Sequence, residues 1–188
     1  MGPVQRFLKK YQKNVFHLLL EEYLGFLTRS LPGIEGMIVR RGIYRLLCKK
    51  LGKSSLIYAG AYLTHAYGIE IGDKFSINSG ALIDGRGRIK IGNGVMVGPN
   101  SVIVSSRHQF EKTDIPMTSL DHIMQPVAID DDVWIGALAF VKGGVRIGKG
   151  AVISAGTAVL ADVPEYAIVT GVPAIITGYR KDKLGKDN

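Results

Sequence analysis

Cysteine is nearly absent from this chain. Cys48 is the only one in 188 residues, so no intrachain disulfide can form, which fits a reducing compartment. Long apolar runs are missing too. No segment approaches the ~18 apolar residues of a membrane span. Val15–Leu20 is too short, and too close to His17, Glu21 and Glu22, to read as a signal-peptide core. The expected location is cytoplasmic. The chain has no P-loop, no nucleophile elbow and no cysteine cluster. Acidic residues are scarce in one place only. Residues 1–55 hold eleven Lys or Arg against Glu21, Glu22 and Glu35, whereas the remainder balances at 13 of each sign. The whole net charge of +8 therefore belongs to the N-terminal segment and needs a local explanation. No nucleic-acid-binding motif accompanies it.

What is present in excess is a six-residue beat. Aliphatic residues recur at Ile71, Ile77 and Ile83, then Ile91, Val97 and Ile103. They resume at Ile129, Ile135, Val141, Ile147, Ile153 and Val159. Neither a helix of period 3.6 nor a strand of period 2 needs this spacing. Twelve in-phase positions, broken by one slip of two residues between Ile83 and Ile91, predict an all-β solenoid. In such a parallel β-helix each coil stacks on the last and the recurring aliphatic points inward. The ordinary alternative is an antiparallel sandwich with frequent turns.

Three regions follow. Residues 1–55 form a basic amphipathic segment with one helix predicted over 3–29, a break at Leu31-Pro32-Gly33, and a second helix over Met37–Leu51 with Gly52 as its C-cap. Two readings of this segment stand. It is a cap on the open first coil, or it is a peripheral contact with an anionic membrane at its inner face. Residues 56–178 form the solenoid, entered through 56–70. The beat stops over 107–126, which predicts a functional loop leaving the wall. Residues 179–188 form a polar tail that frays.

His108 stands where the first run gives way to the loop. Imidazole accepts a proton near neutral pH, so His108 is the candidate base. His65, His108 and His122 do not repeat with the coils, which argues against a metal triad. Taken together, the hexads, Ile77-Asn78, Val97-Gly98-Pro99-Asn100, His108, Asp132-Val133-Trp134-Ile135-Gly136, Ser154-Ala155-Gly156 and Gly171-Val172-Pro173-Ala174 carry a resemblance. From Gly68 to Ile176 the chain resembles the left-handed β-helix O-acetyltransferases of the maltose and galactoside type. That group includes relatives that modify bacterial surface polysaccharides.

The resemblance implies a left-handed parallel β-helix, a homotrimer with sites between subunits, and acetyl-coenzyme A as co-substrate with no metal. It places the general base on His108 and an acceptor-pocket asparagine on Asn78. Asp84, one hexad on from Asn78, is either a second contact to the acceptor or a plain corner residue. Trp134 is either a wall for a ligand or a packing residue. Contacts to coenzyme A fall on Gly136, Ala137, Ala155, Gly156 and Pro173, whose small size also suits coil corners. The chain departs from many relatives at Ala161 and Ile175, where basic residues meet the coenzyme A phosphates. Lys142, Arg180 or Lys181 remain to do so. The implied activity is acetyl transfer to a sugar hydroxyl in polysaccharide, lipopolysaccharide or capsule synthesis. An amino-sugar N-acetyltransferase, a non-catalytic scaffold and a metal-dependent hydratase are the competing readings.

Overall fold

A computed structural model describes Gln5, Leu8, Gln12 and residues 14–180. Two helices lead into a solenoid of about six turns. The helices are α1 (Val15–Thr28) and α2 (Gly33–Leu47). The first coil carries β1 (Lys50–Leu51), β2 (Leu56–Ile57) and β3 (Tyr62–Thr64). The second carries β4 (Ile69–Ile71), β5 (Ser76–Ile77) and β6 (Leu82–Asp84), and the third β7 (Ile89–Ile91), β8 (Met96–Val97) and β9 (Val102–Val104). A hairpin, β10 (Ser106–His108) and β11 (His122–Met124), then leaves the wall. The coils resume with β12 (Val127–Ile129), β13 (Trp134–Ile135) and β14 (Phe140–Val141), then β15 (Arg146–Ile147), β16 (Val152–Ile153) and β17 (Ala158–Val159). β18 (Ala167–Thr170) closes the stack, and β19 (Ile175–Tyr179) folds back on it antiparallel.

The strands stack into three walls, here A, B and C. Wall A is β1-β4-β7-β12-β15, wall B is β2-β5-β8-β13-β16-β18-β19, and wall C is β3-β6-β9-β14-β17. Every pairing in the walls is parallel except β18 with β19. The six-residue beat is thus one aliphatic per wall per coil. Ile57, Ile77, Val97, Ile135, Ile153 and Val169 stand in register up wall B. All twelve aliphatics of the beat are buried, none more than 2% exposed. Such a column is strongly stabilising, at roughly 1.5–3 kcal/mol for each fully buried aliphatic.

The beat starts one coil earlier than Ile71. Leu51, Ile57 and Leu63 already point inward. They escaped notice because the slip recurs at the corner from wall C to wall A. There the first coil inserts a 3-10 turn, Ala66–Gly68, and the second inserts residues at Gly85–Arg88. In the third coil the same corner opens into the hairpin. One edge of the prism is therefore enlarged three times running.

The second helix stops at Leu47, short of the expected Leu51, because Lys50 and Leu51 are drawn into wall A. Gly52 is not its cap. A Cβ there would lie 2.3 Å from the Gly72 carbonyl oxygen, so Gly52 is set by coil stacking. Of the first predicted helix, Val15–Thr28 is described; Val4, Phe7, Lys9, Lys10, Tyr11 and Lys13 lie outside the described residues.

The helices cover the first coil with polar as well as apolar groups. The Glu21 carboxylate accepts the His65 and Ala66 backbone N–H groups at 3.0 and 2.8 Å. Arg40 is 1% exposed and donates to the Ile57, Thr28 and Leu31 carbonyls at 2.9, 3.1 and 2.6 Å. Arg40 thus belongs to the cap and not to a basic surface. Burial pushes the Cys48 thiol up to about 12. Among the described residues no helix is long and apolar enough to cross a membrane.

Candidate functional site

The enlarged edge is held shut by Ser105. Its hydroxyl donates to the Asp84 carbonyl at 2.7 Å and accepts the Gly87 N–H at 2.8 Å. Its own carbonyl accepts the Gln125 N–H at 2.7 Å, which closes the base of the hairpin. Only glycine fits at 87, because a Cβ would sit 1.8 Å from the Ser105 carbonyl oxygen. Gly87→Ala should therefore cost about 3 kcal/mol or more, as strain and a broken corner bond add. Chemical denaturation reads that cost. A loss below 1 kcal/mol would show that the corner is soft.

The hairpin fixes His108. The ladder pairs Ser106 with Met124, Arg107 with Ile123 and His108 with His122. The two imidazole rings lie 4.0 Å apart, tilted by 48°. An Arg86 Nη1 donates to His122 Nε2 at 2.6 Å. Guanidinium only donates, so Nε2 is the acceptor and the ring proton of His122 sits on Nδ1. His108 is exposed. Side chains alternate across a strand, and directly opposed residues share a face. Ser106, His108, His122 and Met124 therefore look to the same side of the hairpin.

Asp84 lies below this pair. Its carboxylate holds His65 Nδ1 at 2.9 Å and the Arg86 backbone N–H at 3.0 Å. Burial pushes the Asp84 carboxyl up, but the bonds from His65 and Arg86 outweigh burial and hold it below its ordinary value. Asp84 thus binds the corner together.

The other expected site residues sort onto the three edges of the prism. The edge from wall B to wall C carries Asn78 in the second coil, Gly136 and Ala137 in the fourth, Ala155 and Gly156 in the fifth, and Pro173 beyond β18. Asn78 donates its side-chain N–H to the Val97 carbonyl at 3.1 Å. A Cβ on Gly136 would lie 2.6 Å from the Ala155 nitrogen, so close stacking alone requires that glycine. Ala155 and Gly156 are exposed, leaving a shelf with almost no side chains. Trp134 stands beside it on the outer face of wall B, 51% exposed, between Met96 and Val152.

Lys142 is on the edge of His108, from wall C to wall A, and is exposed. Arg180 is on neither edge. It pairs with Asp132 at 2.8 Å and donates to the Gly150 carbonyl at 3.2 Å, at the corner from wall A to wall B. Lys181 lies outside the described residues. One chain therefore does not bring His108, Asn78 and Arg180 together. Among the described residues no group of three His, Cys, Asp or Glu is placed to hold a metal ion. Sequence reasoning missed His122 as the neighbour of the candidate base and Arg86 as the partner of His122. Once the Ser105–Gln125 bond is known, His108 and His122 stand three residues inside it on either strand, but nothing in the sequence marks that bond.

A parallel solenoid of stacked hexads is the fold of the left-handed β-helix acetyltransferases. The sequence profile described as "Bacterial transferase hexapeptide (six repeats)" matches residues 126–161. This chain belongs to that hexapeptide-repeat family. It is similar to a solved hexapeptide-repeat acetyltransferase of Vibrio cholerae in complex with acetyl coenzyme A. The two are 30% identical, with a TM-score of 0.78, and the match covers 88% of each chain. It is also similar to the structure of a maltose O-acetyltransferase from Clostridium difficile 630, at 26% identity and a TM-score of 0.76 over 90% of each chain. The galactoside O-acetyltransferase of Lactococcus lactis is 38% identical over 88 residues, 47% of this chain and 42% of that protein. The chain spans about half the length of the curated relatives it matches.

Proposed function

We propose that this protein transfers an acetyl group from acetyl-coenzyme A to a hydroxyl of a glycan. The observation that carries the reading is His108, exposed at the mouth of the hairpin and held against His122. His108 takes the hydroxyl proton as the oxygen attacks the thioester carbonyl. The carbon–sulfur bond breaks, and the imidazolium returns the proton to the departing sulfur. No covalent enzyme intermediate is needed. The small residues Ala137, Ala155 and Gly156 leave room for the slender pantetheine arm along this edge, with the exposed Leu138 beside it. Release of the coenzyme A thiol, measured against a panel of glycans, tests the reading. It should require an acceptor. Preference for an amine over its hydroxyl counterpart would move the assignment to N-acetylation.

The active unit is a homotrimer in this reading. The outer face of wall A is charged, with Lys50, Glu70, Lys90, Ala128 and Arg146 in register. The outer faces of the other walls are mostly apolar, with Asp84 at the hairpin edge of wall C the charged exception along their strands. Wall B presents Leu56, Ser76, Met96, Trp134, Val152 and Ile168. Wall C presents Tyr62, Leu82, Val102, Phe140 and Ala158. Two apolar faces and one charged face suit a closed ring, in which each copy has two neighbours. A ring also lets the edge of His108 in one copy meet the shelf of another.

The N-terminal helices supply a contact with an anionic membrane in the same reading. On α1, Phe16, Tyr23, Phe26 and Leu27 are 79%, 69%, 82% and 66% exposed. On α2, Ile34, Ile38 and Leu46 are 72%, 65% and 78% exposed. A plain cap has no use for that outer apolar stripe. Flotation with liposomes containing anionic lipid should carry the protein upward at low salt. Binding should weaken toward 1 M salt, where the Debye length is ~3 Å. Phe16→Ser with Phe26→Ser should abolish flotation without altering thiol release on a soluble acceptor. A wild-type protein that ignores such liposomes at low salt would reduce α1 and α2 to a cap.

A further inference from the structure

We propose that the groove beside the hairpin binds a phosphate group, and that the acceptor is therefore a phosphate-linked glycan. The inference rests on the acyl-transfer reading for its second half only. The groove has a volume of ≈ 760 Å³, and its lining includes Lys49, Tyr67, Glu70, Arg86, Arg88 and Met124. A smaller hollow of ≈ 300 Å³ shares Glu70 and Arg88 and adds Lys90. The groove reaches the base by two routes. Arg86 lines it and donates to His122. Met124 lines it from the same face of the hairpin as His108 and His122.

Charge identifies the ligand. Four cations, Lys49, Arg86, Arg88 and Lys90, face one lining carboxylate, Glu70. Lys49 occupies that carboxylate at 2.6 Å, and its hydrogen bond holds the Glu70 carboxyl below the ordinary value. Asp84, under Arg86, is engaged by His65 at 2.9 Å. Among the described residues neither Arg88 nor Lys90 forms an ion pair. An exposed guanidinium and an ammonium at one end of a groove exceed what a single carboxylate neutralises. They match a phosphate or diphosphate, whose oxygens guanidinium grips as a fork.

Calorimetric titration of the full chain with inorganic pyrophosphate tests the site. Binding should persist with coenzyme A saturating. Arg88→Gly should weaken it about tenfold, the worth of one charge-assisted hydrogen bond. The substitution keeps the fold, because Arg88 has a φ of 80°, a conformation glycine adopts freely. Arg88→Lys should restore only part of the affinity, since it returns the charge but not the fork. Geranyl diphosphate binding more tightly than pyrophosphate would assign a lipid-linked phosphate, and equal binding a soluble sugar phosphate. Three results would overturn the site: displacement of pyrophosphate by coenzyme A, no effect of Arg88→Gly, or equal binding of acetate at matched ionic strength. If pyrophosphate binds and coenzyme A does not bind at all, the phosphate site stands and the acyl-transfer reading falls.

Discussion

His108→Ala should lower turnover by roughly 10²–10⁴-fold, the usual worth of a positioned base, with little change in coenzyme A affinity or unfolding midpoint. The separation follows from geometry. His108 is exposed on the hairpin, where its ring contact is with His122 and its backbone bonds belong to the ladder. Removing the imidazole costs the fold almost nothing. Alanine also leaves Arg86 bonded to His122, so the corner stays closed. His108→Gln keeps a polar side chain without a base near neutral pH and should fare no better. Near-normal turnover in either variant would remove His108 from the chemistry.

Phe140→Asp should dissolve the trimer and, with it, turnover. Phe140 lies on the outer face of wall C, 37% exposed, between Val102 and Ala158. In a lone chain an aspartate there meets water and the coil beneath is undisturbed, because Ala139 and Val141 carry the inward packing. In an assembly with an apolar face against it, the same carboxylate is buried without a partner, at a cost of several kcal/mol in each interface. Sedimentation should move from three chains to one, with the unfolding midpoint of the single chain retained. Turnover should fall by about 10²-fold or more, since positioning across two chains is lost. A variant that becomes monomeric yet remains fully active would place the whole site within one chain.

The solenoid was legible because burial in a prism repeats with the coil. One inward aliphatic per wall makes period six, and no other arrangement of this core writes that pattern so long. The first coil was hidden by the same corner insertions that build the site, so Leu63 and Ile71 stand eight residues apart. Left-handedness is absent from spacing and came only with the resemblance. His108 was singled out as the candidate base by its place at the end of a run. His122 and Arg86 were not: the ladder that sets His122 opposite His108 spans the loop, and Arg86 approaches from the coil below. Arg40 looked like one more surface cation, since charge in a sequence does not show that three carbonyls await it. Arg180 was one of the basic residues left to meet the coenzyme A phosphates, and its place on an edge is not written in the sequence. The antiparallel return of β19 carries it instead to Asp132 at another edge.

Binding of coenzyme A is what separates an acyltransferase from a scaffold on this prism. Calorimetric titration with coenzyme A tests it most directly. Saturable binding is expected, one coenzyme A for each chain, in wild type and His108→Ala alike, with loss of binding when Ala155→Trp fills the shelf beside Gly156. A folded wild-type trimer that takes up no coenzyme A would contradict the acyltransferase reading.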